Sequence, residues 1–441
     1  MKKRSALRLT ALLAAATMVA AACSDGESSS ATTAAAETTA APETSAATET
    51  SAAADTTAPT ETTAAAIDRT GETIKIGYVN NEGGAIALPE FRIGGEVAID
   101  QINANGGING ATIEVVSCLA DASPEGSINC ANQLIEAGVV MAYTGIDVAS
   151  DAALPLYQEA GIPYVTSNGW GPAQGNADGS HILHAASDAY AVGPFALAKD
   201  LGLTKVASVY EQSAAGEGFI NTITKPIADK LGIELQTIAV DPAAPDWTAA
   251  VATAQSAGAE MIWGQLTEPG CIGMVGAARA AAFPGVVFAG SCSFYIPIVG
   301  DAAVDTYTQG DLYFPSMKSF APERIATNLT DYEAAMKAAG QSDYTEGFAV
   351  AAFGAWMELR TILERVTGDM TAESVEAALN SGEVTEGWFG PDIKCGAAPW
   401  PSGKSACSAG IAVYKVIKKD DGTIGREIAK DFFDAYEYSQ G

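Results

Sequence analysis

Beyond about residue 71 the chain alternates short apolar runs with segments of helical period. The run TIKIGYVN (73–80) is rich in β-formers and predicts a strand. GGEVAIDQINANGG follows, with Val97, Ile99 and Ile102 at helical spacing and paired glycines suited to a C-cap. TIEVVSC predicts the next strand, SINCANQLIEAG a helix and VVMAYTG a strand. ASDAALPLYQEAG reads as a helix interrupted or reset at Pro155, and IPYVTSN as a further strand. Strands and helices in alternation, with short connections, argue for a mainly parallel sheet covered on both faces.

The pattern restarts after SDAYAVGPFALAKDLG. KVASVY, ELQTIAV, AEMIWG and GVVFAG predict strands, separated by helices in GFINTITKPIADKLG, DWTAAVATAQSAG and CIGMVGAARAAAF, with Asp246 as an N-cap. Two successive α/β units result, 72–188 and 189–308, without an internal tandem repeat. VDTYTQGDLYFP reads as a crossover. Longer amphipathic helices are expected near 322–339 and 345–366, and a shorter one over 372–379. IAVYKVIKKDDGTIGREI predicts a β-hairpin turning at Asp421-Gly422.

The first seventy residues differ in kind. Lys2, Lys3, Arg4 and Arg8 precede an apolar stretch, 9–22, that is short of the ~20 residues a bilayer span needs. This predicts a secretory signal peptide over 1–22. From Ser24 to Ala66 the chain is almost entirely Ala, Thr, Ser, Glu, Asp and Pro. Burial cannot repay the entropy of ordering such a segment, so 23–70 is expected to be a disordered linker, with an extended reach on the order of 100 Å.

Charge and cysteines narrow the picture further. The net charge is −29, and loss of the four basic leader residues takes the exported chain to −33. Nucleic acid or an anionic membrane surface is therefore a poor partner. With Cys23 set aside, six cysteines remain in close sequence pairs, and export permits disulfides. Fifteen pairings are open to six cysteines. The sequential one, Cys118–Cys130, Cys271–Cys292 and Cys395–Cys407, closes three short loops and is the one expected. With two histidines, His181 and His184, and no CxxC, neither a metal nor a cofactor is expected.

In open parallel sheets, ligands lie beyond the carboxyl ends of strands. Four polar, glycine-punctuated segments occupy that position: 143–150 (YTGIDVAS), 165–170 (VTSNGW), 209–216 (VYEQSAAG) and 264–270 (GQLTEPG). Two come from each unit, so a shared cleft is expected. No GxxxxGK[ST], GxGxxG after the first strand, or GxSxG is present, and GSHILHAASD pairs neither histidine with a nucleophile. An enzyme is not expected.

The string IKIGYVNNEGG…GGEVAIDQINANGGINGATIEVVSCLADASPEGSINCANQLIEAGVVMAYTG resembles the leucine/isoleucine/valine-binding protein family. These are the type I periplasmic binding proteins of ABC importers. AGIPYVTSN, VASVYEQSAAGEGF and DWTAAVATAQSAGAEMIWG continue the likeness in order, so that it covers about 72–435. The resemblance implies two α/β lobes joined by three crossovers, with lobe 1 formed by 71–188 plus 316–395 and lobe 2 by 189–315 plus 396–441. It further implies a small amino-acid-like solute between the lobes, a branched-chain amino acid by default, and a membrane permease as partner to a monomer. A receptor of the same fold feeding a signalling system is the alternative.

Carried onto this chain residue by residue, the resemblance makes Ser150 a donor to the ligand carboxylate, on the loop that carries Thr144 and Gly145. Thr166 and Ser167 hold the same ligand from the first lobe. Tyr210 faces the cleft from the second lobe, and Glu268, with Gln265 as its rival, receives the ligand amine. The first loop, NNEGGAIALPEF, departs from the family, so Glu82 or Phe91 would alter selectivity there, and Trp170 is large enough to line an apolar part of the pocket. Ala20-Ala21-Ala22-Cys23 resembles a lipobox, which implies lipidation of Cys23 and anchoring on the outer face of the bacterial cytoplasmic membrane.

Overall fold

A computed structural model describes residues 67–83, 86–169, 173–400 and 403–441. The leader, Cys23, the linker up to residue 66 and Trp170 lie outside the described residues. Two seven-stranded sheets form the frame. In the first, Ala406–Ser408, Ser180–Ala185, Tyr164–Thr166, Ala142–Thr144 and Thr73–Gly83 lie side by side in that order, all parallel. Thr112–Ala120 also pairs in parallel with Thr73–Gly83, whereas the short strand Ile86–Ala87 runs antiparallel to it.

The first strand shows why both faces are covered. Ile74, Ile76 and Tyr78, two residues apart, point into one core with helices Pro89–Ala104 and Phe348–Leu363. Gly77 and Val79 face the opposite side, against helix Pro124–Ala137. That approach is close: a Cβ on Gly77 would meet Leu134 Cδ1 at 2.6 Å. The glycine is required by space rather than by backbone conformation.

The second sheet has the order Glu234–Val240, Lys205–Glu211, Met261–Gln265, Val286–Phe288, Thr306–Gly310, Gly410–Lys418 and Ile424–Asp434. Its first five strands are parallel, and the C-terminal hairpin closes it in antiparallel register. Asp246 caps helix Trp247–Ser256 by accepting from Ala249 N (2.9 Å), as the sequence predicts. The chain passes between sheets three times, after Ala185, after Gly310 and at Ala409. This is the two-lobed type I periplasmic binding protein architecture. The three expected disulfides are present.

Three expectations need adjustment. The segment 396–441, assigned wholly to the second lobe, divides: Ala406–Ser408 pairs with Ser180–Ala185 at the edge of the first sheet. A three-residue strand carries too little periodicity to be read, and Cys407 is tied there by its bond to Cys395. VDTYTQGDLYFP is not all crossover, because Thr306–Gly310 is an interior strand of the second sheet. Finally, the helix near 345–366 is not amphipathic, since Ala349 to Leu359 are buried without interruption. It runs through the first lobe's core, which its near-continuous apolar sequence fits better than a surface face.

Candidate functional site

Strand ends from both lobes meet a cavity of about 380 Å³. Three parts of the fold contribute its wall. From the first lobe come Asn168 and Gly169, beyond strand Tyr164–Thr166, and Phe348 and Ala351 at the start of the buried helix. From the second lobe come Trp263 to Leu266 and the segment Gly290 to Ser293. The interlobe crossings and the hairpin supply Tyr190, Gln309, Asp311, Tyr414 and Arg426.

The crossings are tied together by side chains on this wall. Asp311 Oδ2 accepts from Asn168 Nδ2 (2.9 Å) and from Ala185 N (3.4 Å), which links the first and second crossings. Gln309 Nε2 donates to Tyr190 O (2.7 Å), and Tyr414 Oη to Leu312 O (2.8 Å). Gly290 lies in the left-handed region (φ 69°), and a Cβ there would sit 2.3 Å from Gly264 O. Glycine thus lets two second-lobe segments meet along the cavity floor.

Of the four segments expected to form the cleft, two reach this wall: 165–170, through Asn168, and 264–270, through Gly264, Gln265 and Leu266. Among the described residues, Gln265 is the one expected ligand-binding residue on it, with Nε2 donating to Ser208 Oγ (2.7 Å). Thr166 acts one step back, its hydroxyl donating to Asn168 O (2.9 Å). Ser150 is buried and bonded to Gln174 Nε2. Thr144, Gly145 and Ser167 are likewise buried, and neither they nor the half-buried Tyr210 border this cavity.

Glu268 has a different neighbourhood from the one expected. It opens helix Glu268–Ala280 and accepts from Ser293 N (2.7 Å) and Tyr295 N (3.1 Å). Burial pushes its carboxyl pKa up, opposed by those amides and by the Arg426 charge. Its two oxygens therefore hold the segment that carries the wall residues Ser291 and Ser293. In the first loop, Glu82 is paired with Arg92 (2.7 Å), while Phe91 stacks on the wall residue Phe348, with ring centroids 4.7 Å apart.

The feature that sequence reasoning did not single out is Arg426, on the C-terminal hairpin. It is 7% exposed and borders the cavity. Its guanidinium lies over the Phe314 ring at 5.3 Å and makes no hydrogen bond or ion pair among the described residues. Trp263 Nε1 and Gln309 Oε1, also buried on this wall, have no hydrogen-bond partner among the described residues. Nothing in the sequence marked Arg426, because one arginine in a terminal hairpin reads as surface.

A cavity where two α/β lobes and their crossings meet is a place for a small solute. Residues 73–399 match the family described as periplasmic binding protein. The chain belongs to this family. The resemblance to leucine/isoleucine/valine-binding proteins is thereby borne out.

Among the relatives of this binding protein is the leucine-, isoleucine-, valine-, threonine- and alanine-binding protein of Pseudomonas aeruginosa. The two are 24% identical over 206 residues, 45% of this chain and 55% of that one. The chain spans about half the length of the curated relatives it matches. Two solved structures share the fold. The fatty acid ABC transporter substrate-binding protein from Thermomonospora curvata superposes with a TM-score of 0.69 at 17% identity, covering 84% of this chain and 95% of that one. The ABC transporter solute-binding protein from Rhodopseudomonas palustris HaA2, in complex with p-hydroxybenzoic acid, gives 0.66 at 20% identity, covering 82% and 98%.

Proposed function

We propose that the protein is the extracytoplasmic solute-binding component of an ABC importer, reversibly enclosing a small amino-acid-like solute and delivering it to a membrane permease. The observation that carries this reading is the cavity of about 380 Å³ walled by both lobes and by the crossings between them. A chamber of that size suits a compact solute, and closure about the crossings would remove it from water. Binding, closure and release make up the mechanism, with no covalent step. Branched-chain amino acids are one option within this class. The names of the similar proteins span amino acids, a fatty acid and p-hydroxybenzoic acid, and so leave the identity of the solute open.

A thermal-shift screen of the exported protein with amino acids, amides, small carboxylates and polyamines tests the proposal. A saturable rise in melting temperature with at least one of these solutes, without turnover, is the expected result. No shift with any of them, or conversion of the solute, would sink it. Anchoring by a lipid at Cys23 completes the reading, because an importer works at the membrane and its receptor must stay near it. Mass spectrometry of the exported N-terminus is expected to find diacylglyceryl-modified Cys23 as the first residue. An unmodified terminus elsewhere would remove the anchor.

A further inference from the structure

We infer that Arg426 is the anchor for a ligand carboxylate in the interlobe cavity, so that the solute is a small monocarboxylate with an apolar body and needs no amine. This rests on the solute-receptor reading above and names the chemistry of the same cavity.

A guanidinium stays protonated even when buried, so folding leaves a full positive charge on Arg426. Such a charge is normally paired and hydrogen-bonded. Here it is not. Arg426 is 7% exposed, and no described carboxylate lies within ion-pair distance. The acids whose charges act on it across longer distances are otherwise engaged. Glu268 is held by the amides of Ser293 and Tyr295, and Glu346 by Ser316 N (2.7 Å) and Ser316 Oγ (3.3 Å). Asp311, the acid on the wall, is held by Asn168 and Ala185.

Phe314 covers one face of the guanidinium. That leaves its in-plane N–H groups for an acceptor, and a carboxylate is the group whose two oxygens match their fork. The remaining wall sorts the body of the ligand. Phe219, Trp263, Leu266, Phe348 and Ala351 offer apolar surface, while Trp263 Nε1 is a second donor without a partner among the described residues. An ammonium is best met by a charged acceptor. The acids, Asp311 and Glu268, already accept bonds from protein donors, and the one wall acceptor noted above without a partner, Gln309 Oε1, is an uncharged amide oxygen. The inventory fits an anionic head on Arg426 and an apolar body against the aromatic side chains.

The test uses the exported full-length protein and matched pairs of acid and primary amide: benzoate with benzamide, phenylacetate with phenylacetamide, 4-methylpentanoate with its amide. Calorimetry is expected to show at least one acid binding about tenfold or more tighter than its amide. Arg426→Met should weaken that acid by about the same factor. Equal binding of acid and amide, or undiminished acid affinity in Arg426→Met, would overturn the assignment. If Arg426→Met does not fold, the acid and amide comparison on the unaltered protein still decides. A solute screen yielding only neutral or cationic ligands leaves the receptor reading standing and sinks this one. A screen yielding none sinks both.

Discussion

Glu268 and the His184–Glu358 pair show two ways in which a buried charge is held. The Glu268 carboxylate takes two backbone amides from the segment beside the cavity. It is therefore expected to stabilise the wall rather than to meet a ligand amine. Glu268→Gln should weaken leucine and its deaminated analogue 4-methylpentanoate by equal factors in calorimetry. A selectively larger loss for leucine would restore the amine role. His184 Nε2 lies 2.9 Å from Glu358 Oε2, and Glu358 Oε1 also accepts from Trp388 N (2.8 Å). Burial pushes the imidazole pKa down, but the Glu358 charge, their hydrogen bond and the Asp311 charge outweigh it, and the net shift is upward from 6.5.

The sign of the pH dependence follows from that direction. A histidine whose pKa is higher in the folded state contributes its full stabilisation below the unfolded value of about 6.5. That contribution is lost as pH rises through the folded value. Urea unfolding at pH 6 and at pH 8.5 should show lower stability at the higher pH, and His184→Gln should flatten the difference. Glu358→Ala, which strands the buried histidine and the Trp388 amide, should cost about 3–5 kcal/mol.

At the scale of elements, close backbone approach sets what the sequence tolerates. Helices Pro89–Ala104 and Phe348–Leu363 touch where Gly94 faces Ala349, and a Cβ on Gly94 would lie 2.2 Å from Ala349 O. The obstacle is backbone and cannot rotate aside. Gly94→Ala should lower unfolding free energy by about 1–3 kcal/mol, measured by urea titration, against the small gain expected for alanine in an open helix. The disulfide Cys271–Cys292 works differently, closing a sequence separation of 21 residues between helix Glu268–Ala280 and a residue on the cavity wall. Replacing both cysteines by serine should cost about 3 kcal/mol. Because Cys292 is itself on the cavity wall, the loss should also weaken solute binding. A double variant with full affinity would show that the wall is held without the bond.

For the whole molecule, the three crossings govern the expected motion. Asp311, Gln309 and Tyr414 bond across them, so a closing movement would be read at the same residues that border the chamber. Small-angle scattering of the exported protein should show a fall in radius of gyration on saturation with a solute from the screen. An unchanged radius would mean that the lobes do not move with binding.

Much of this architecture could be read from the sequence, because strand and helix periods are local. The alternation of apolar residues in TIKIGYVN, the N-cap at Asp246, the hairpin through Asp421-Gly422 and the two α/β units all depend on neighbours a few residues apart. Cysteines close in sequence were equally readable as pairs. Tertiary structure alone decided what lies around the chamber. Ala406–Ser408 joins the first sheet through a partner more than two hundred residues earlier, which no local period records. Glu268 faces backbone amides because the chain returns past its helix at Ser293 and Tyr295. Arg426 is an ordinary hairpin arginine until folding buries most of it beside the cavity, with no carboxylate among the described residues within ion-pair distance. Periodicity determines which residues turn inward, whereas the polar partners waiting there are set by distant chain segments.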